Sequence, residues 1–156
     1  MKLFLPLFCI AFLLFSCSGS DSNFEPQTEA DIIEYIEANN LNAQRSSSGL
    51  YYVINELGTG VRPTSNSNVT VAYRGTLLDG TVFDSSVDRG EPAEFQVNRV
   101  IKGWTEGLQL MSVGSKYKFF IPQDIAYGAF PRQGGEIKPF DVLIFEVELL
   151  EIKAAQ

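Results

Sequence analysis

The chain has 156 residues, 45% of them hydrophobic and 20% charged, which suits one domain with its own core and excludes a disordered chain. A net charge of -7 with no cluster of Lys or Arg excludes a phosphate-binding face, and with it nucleic acid as a partner. Histidine is absent and the cysteines are only Cys9 and Cys17, so Ser-His-Asp and Cys-His catalysis, histidine-held metals and thiolate zinc all drop out; carboxylates, hydroxyls, backbone groups and desolvation remain, with no cofactor or metal expected.

Met1-Lys2 gives a positive start, and Leu3 to Phe15 is almost wholly apolar. That run is too short to cross a bilayer but has the length of a secretory h-region. It ends in Leu14-Phe15-Ser16-Cys17, and the polar run Ser18 to Asn23 follows. The arrangement is similar to a bacterial lipobox, in which cleavage before Cys17 leaves its thiol to carry a lipid. Phe15 is bulkier than the usual occupant, and the other reading is an ordinary signal peptide with an incidental cysteine. The expected division is a signal at 1–16, a lipidated flexible tether at 17–27, an N-terminal helix and loop at 28–49, and the folded domain at 50–153.

Thr28 reads as an N-cap with Glu29 and Asp31 in the first turn of a helix that runs to Asn39 or Asn40. Ile32, Ile33 and Ile36 share one face of it. That face packs on the domain, spaces it from a membrane, or meets a second copy. Asn42 to Gly49 reads as a loop. From Leu50 the pattern changes to alternation. Val69, Val71 and Tyr73 fall on one face of a strand, and Leu78-Asp79-Gly80-Thr81 is a hairpin turn in which Asp-Gly supplies positive φ. Ile101, Trp104, Leu108 and Met111 form one stripe of a short helix. Tyr117, Phe119 and Ile121 alternate with Lys116, Lys118 and Phe120, and Pro122 ends that strand. Leu143, Phe145, Val147 and Leu149 form one face of a final strand, with Glu146 and Glu148 outward. The sum is an α+β fold, an antiparallel sheet with one helix on its apolar face.

Several blocks occur together over roughly residues 50–152: Val71 to Gly75, Asp79 to Ser86, Val100 to Leu108, Met111 to Gly114, Ile121-Pro122, Ala126 to Gly128, and Leu143 to Leu150. Their order and spacing resemble the FKBP-type peptidyl-prolyl cis-trans isomerases. The resemblance implies an antiparallel half-barrel sheet wrapped around one short helix. It implies a catalytic pocket of Tyr73, Phe83, Asp84, Trp104, Tyr127 and Phe145, with Arg89, Val100, Ile101 and Ile137 binding the substrate. Trp104 would be the floor under a proline ring, with Tyr73, Phe83 and Phe145 as walls. The Ile101 N–H and the Tyr127 hydroxyl are candidate donors to substrate carbonyls, and Asp84 an orienter held by Tyr73 or Arg89. The expected partners are proline-containing polypeptides at the cell envelope, with the membrane reached through the lipid on Cys17. Ala93 stands where many members carry an aromatic rim residue and Glu136 where they carry an apolar one. The flap tip, Phe130 to Gly135, has its own length, so macrolide inhibitors should bind but weakly. A non-catalytic chaperone or proline-peptide receptor is the alternative, and an envelope spacer a further one.

Overall fold

The structure, a computed structural model, describes residues 25–153. The signal segment, Cys17 and most of the tether lie outside the described residues. The first element is α1 (Glu29–Ala38). Asp31 starts it by accepting from the Thr28 backbone N–H at 2.6 Å and from the Thr28 hydroxyl at 2.8 Å. These bonds satisfy donors that the first turn would leave open, and hold the Asp31 carboxyl below its usual range. The helix stops at Asn39, and Asn40 takes positive φ (52°) beyond it.

Seven strands follow in chain order: β1 (Gln44–Arg45), β2 (Tyr51–Glu56), β3 (Asn68–Thr76), β4 (Val82–Ser85), β5 (Ala93–Gln96), β6 (Lys116–Ile121) and β7 (Leu143–Lys153). They make one antiparallel sheet in the order β1-β2-β6-β7-β3-β4. The free edge of β3 is shared: its first half pairs with β5, from Asn68↔Gln96 to Val71↔Ala93, and its second half with β4, from Arg74↔Ser85 to Thr76↔Val82. Between the strands lie a one-turn helix α2 (Ser86–Arg89) and the central helix α3 (Lys102–Leu110).

Period-two alternation turns Val69, Val71 and Tyr73 of β3, Tyr117, Phe119 and Ile121 of β6, and Leu143, Phe145, Val147 and Leu149 of β7 toward α3. There they meet Trp104 and Leu108 of α3 and Met111 just past its end in one buried cluster. The approach is close enough to require glycine. A Cβ at Gly107 would lie 2.7 Å from the ring of Phe119.

Three local features differ from the sequence reading. Alternation sets Phe120 on the same face as Lys116 and Lys118, yet it is fully buried, because the sheet has a second covered face. Phe120, Val142 and Ile144 pack there against Ile32 of α1, which settles that this helix packs on the domain. Asn42 to Gly49 is not all loop, since β1 pairs Gln44↔Tyr52 and Arg45↔Tyr51. Arg45 also bonds Glu29 at 2.6 Å, tying the start of α1 to the sheet edge. In the Asp79-Gly80 turn only Gly80 takes positive φ (87°); Asp79 instead accepts from the Thr81 N–H at 2.9 Å.

Candidate active site

A cavity of about 860 Å3 opens between α3, the inner face of the sheet and the long loop joining β6 to β7, which acts as a flap. Nine of the ten pocket residues inferred from the sequence line it: Tyr73, Phe83, Asp84, Val100, Ile101, Trp104, Tyr127, Ile137 and Phe145. They come from β3, β4, the start of α3, the flap and β7, so the fold alone brings them together.

Trp104 sits at the centre of this wall and is 3% exposed. Three rings meet it edge to face: Tyr73 at 5.3 Å and 89°, Phe145 at 5.1 Å and 83°, and Phe95 at 5.4 Å and 78°. Phe83 packs edgewise on Phe145 at 5.3 Å. Edge-to-face pairs set the positive ring edge against the negative ring face, so these aromatics fix one another's orientation. Gly75 lets the last pair close, because a Cβ there would fall 2.6 Å from Phe83 and 2.9 Å from Phe145. The result is a rigid apolar surface.

A carboxylate interrupts it. Asp84 accepts from the Tyr73 hydroxyl on one carboxylate oxygen and from Arg89 on the other. Arg89 also donates to the Tyr73 oxygen at 3.2 Å. Partial burial pushes the Asp84 carboxyl up, but the hydrogen bonds from Tyr73 and Arg89, with the arginine's charge, outweigh it and hold the group below its usual range. Burial first, then the bond to Asp84, pushes the Tyr73 hydroxyl up. Asp84 is therefore ionised, Tyr73 protonated, and neither is poised to exchange a proton near neutral pH.

Arg89 does not line the cavity. It bonds two residues that do, Asp84 and Tyr73. Its position comes from α2, which the Ser86 hydroxyl pins to β3 by accepting from the Tyr73 N–H at 2.8 Å. Ser85 caps the same turn by accepting from Asp88 N–H at 3.0 Å. Asp88 faces Arg74 at 3.2 Å, away from Asp84, so the two aspartates are not a catalytic pair.

The candidate donors flank the aromatic floor. The Ile101 N–H, just before α3, and the Tyr127 hydroxyl have no hydrogen-bond partner among the described residues. The Trp104 indole N–H is buried and likewise unpartnered there.

Sequence reasoning missed Phe95 and Arg99, which also line the cavity, as do Arg132 and Gly135 of the flap tip. Glu136 lies in the wall, at the edge position expected of it. Ala93 does not line it. Both Ala93 and Phe95 face inward from β5, but the Ala93 side chain ends at its methyl against the core, while the Phe95 ring reaches Trp104. The Ala93-Glu94-Phe95 alternation was the available signal, in a strand of only 4 residues. Among the described residues no cluster of carboxylates or cysteines could hold a metal ion.

Comparison with known proteins agrees with this architecture. Residues 60–150 match the family model of the FKBP-type peptidyl-prolyl cis-trans isomerases. The chain is 53% identical over 122 residues to the FKBP-type peptidyl-prolyl cis-trans isomerase FkpA of Aeromonas hydrophila, covering 77% of this chain and 45% of that protein. It is 54% identical over 109 residues to the outer membrane protein MIP of Legionella longbeachae, covering 69% of this chain and 46% of the relative. The chain thus spans about half the length of these curated relatives. Among solved structures, the crystal structure of FkpA from Escherichia coli superposes with a TM-score of 0.74 at 41% identity, over 81% of this chain and 59% of that one. By fold, cavity and sequence, the chain belongs to the FKBP-type peptidyl-prolyl cis-trans isomerase family.

Proposed function

We propose that this chain rotates X-Pro peptide bonds of exported polypeptides between cis and trans, without covalent or acid–base chemistry. The observation that carries the proposal is the Trp104 floor, walled by Tyr73, Phe95 and Phe145, beside a carboxylate already neutralised by Arg89. The barrier to rotation is about 18–20 kcal/mol, because resonance gives the C–N bond double-bond character. A planar amide is charge-separated and well hydrated; the twisted amide has lost that resonance and is less polar. Water therefore favours the ground state. A proline ring seated on Trp104 loses that water, and walls fitted to the twisted form stabilise it further. Each ~1.36 kcal/mol so removed gives tenfold in rate. Ile101 N–H and the Tyr127 hydroxyl hold the flanking carbonyls while Asp84 orients the bond, and no proton moves.

A protease-coupled assay on a four-residue X-Pro peptide tests this. Saturable quenching of Trp104 fluorescence without turnover would leave a proline-peptide receptor instead.

The relative named an outer membrane protein, together with the lipobox-like segment, supports a place at the cell envelope with Cys17 as the anchor. Glu136 in the cavity wall and the flap-tip sequence support weakened binding of macrolides. That chemistry sits at the edge of the cavity, so it spares the floor on which rotation depends.

A further inference from the structure

Gln27 precedes α1 and lies outside the segment that matches the family model, yet it reaches the stem of the flap. We infer that Gln27 is a positioning residue for the cavity: by pairing with Phe140 and Val142 it clamps the flap that carries Tyr127 and Ile137. The inference rests on the cavity being the substrate site proposed above.

The contact has the form of a strand pairing made by one residue. The Gln27 backbone N–H donates to the Phe140 carbonyl at 3.2 Å, and its side-chain Oε1 accepts from the Val142 N–H at 2.6 Å. A neighbouring strand would offer one donor and one acceptor to positions i and i+2 in the same way. On the opposite side Phe140 N–H donates to the Gly128 carbonyl at 2.9 Å, closing the stem. Tyr127 directly precedes Gly128, and Ile137 lies three residues before Phe140. The two cavity residues of the flap are thus set by where this stem sits.

Two further features make the clamp more than a surface contact. Phe140 has φ of 67°, a left-handed conformation that side chains other than glycine rarely adopt. Such a residue persists where its surroundings over-determine it, and here its N–H and its carbonyl are both bonded, one to Gly128 and the other to Gln27. Val142 is fully buried, and the glutamine carboxamide supplies the acceptor that its buried N–H needs. Gln27 itself is held in register: Thr28 and Asp31 open α1 immediately after it, and Ile32 packs against Val142 and Ile144. The arm and the flap stem therefore meet over one shared strand.

The test uses the full chain with Gln27→Ala and Gln27→Glu, the latter keeping an acceptor for Val142. For Gln27→Ala, KM for a short X-Pro peptide should rise about fivefold, the worth of one hydrogen bond, with kcat changed by less than about twofold. Amide hydrogen exchange at Phe140 and Val142 should accelerate while the paired amides of β3 and β7 stay as protected as before. Gln27→Glu should restore both. Unchanged exchange at the stem would overturn the inference. So would acceleration spread evenly over the sheet with a matching fall in Tm, or a Gln27→Glu variant as defective as Gln27→Ala. If the chain proves not to be an isomerase, the exchange pattern alone still decides the clamp.

Discussion

Asp84→Asn separates an orienting carboxylate from a proton-transferring one. The substitution keeps the shape and an acceptor oxygen but removes the charge that Tyr73 and Arg89 address. A hydrogen bond to a charged partner is worth about 1.5–3 kcal/mol and a neutral one about 0.5–1.5, so the Tyr73 bond should lose on the order of 1 kcal/mol. The Arg89 contact adds little, because the Asp84 and Arg89 side chains are 44% and 53% exposed and solvent screens the pair. Stability should thus fall by about 1 kcal/mol, a Tm shift of roughly 3–6 °C for a domain of this size. In the peptide assay kcat/KM should drop about tenfold, equivalent to about 1.4 kcal/mol of lost transition-state stabilisation. Removing a true general acid or base costs about 100- to 10,000-fold. A loss in that upper range, with Tm within the predicted shift, would refute the desolvation mechanism and make Asp84 a proton carrier.

The pH profile tests the same point without mutation. The Asp84 carboxyl is depressed and the Tyr73 hydroxyl raised, so kcat/KM should be flat between about pH 5 and 9, given reference values near 3.9 and 10; a titration near neutrality would contradict it. By linkage, the stability that Asp84 contributes is present above its unfolded pKa and is lost as pH falls through the lower folded one, so urea midpoints should decline only in acid, below about pH 4. Gly107→Ala sets a helix-propensity gain of up to about 1 kcal/mol against overpacking on the Phe119 ring of about 1–3. The urea midpoint should fall, and a rise would mean that the ring yields. Cys17→Ala should move the protein from the membrane to the soluble fraction, and wild-type protein that takes up no labelled lipid would end the anchor proposal.

What could be read from the sequence was whatever a regular period exposes. The stripe Ile101, Trp104, Leu108, Met111 and the alternation through β3, β6 and β7 are visible because each element presents one continuous apolar face. Phe120 defeated that logic. In a strand covered on both sides alternation no longer reports exposure, and the second cover comes from α1, which is distant in sequence from β6. The motif blocks hold eight of the nine cavity residues, since those side chains sit within strongly patterned segments, and Ile137 falls between blocks. Phe95 escaped because β5 is too short to show a period. Arg99 escaped because nothing local marks an arginine as facing a cavity. The Gln27 contact left no pattern at all: one side chain imitates a backbone group, and any residue with a carboxamide could have been only a linker.

The unequal strand lengths of the sheet bear on how such a protein handles unfolded chains. The two longest strands, β3 with 9 residues and β7 with 11, are both interior, whereas the edges are formed by β1 with 2 residues and by β4 and β5 with 4 each. An extended polypeptide searching for a partner strand finds no long row of open amides to extend. Under the function proposed above, it would engage through what enters the aromatic cavity, one short stretch around a proline. Selectivity for an X-Pro unit, and release of everything attached to it, would in this sense be properties of the sheet's borders as much as of the pocket.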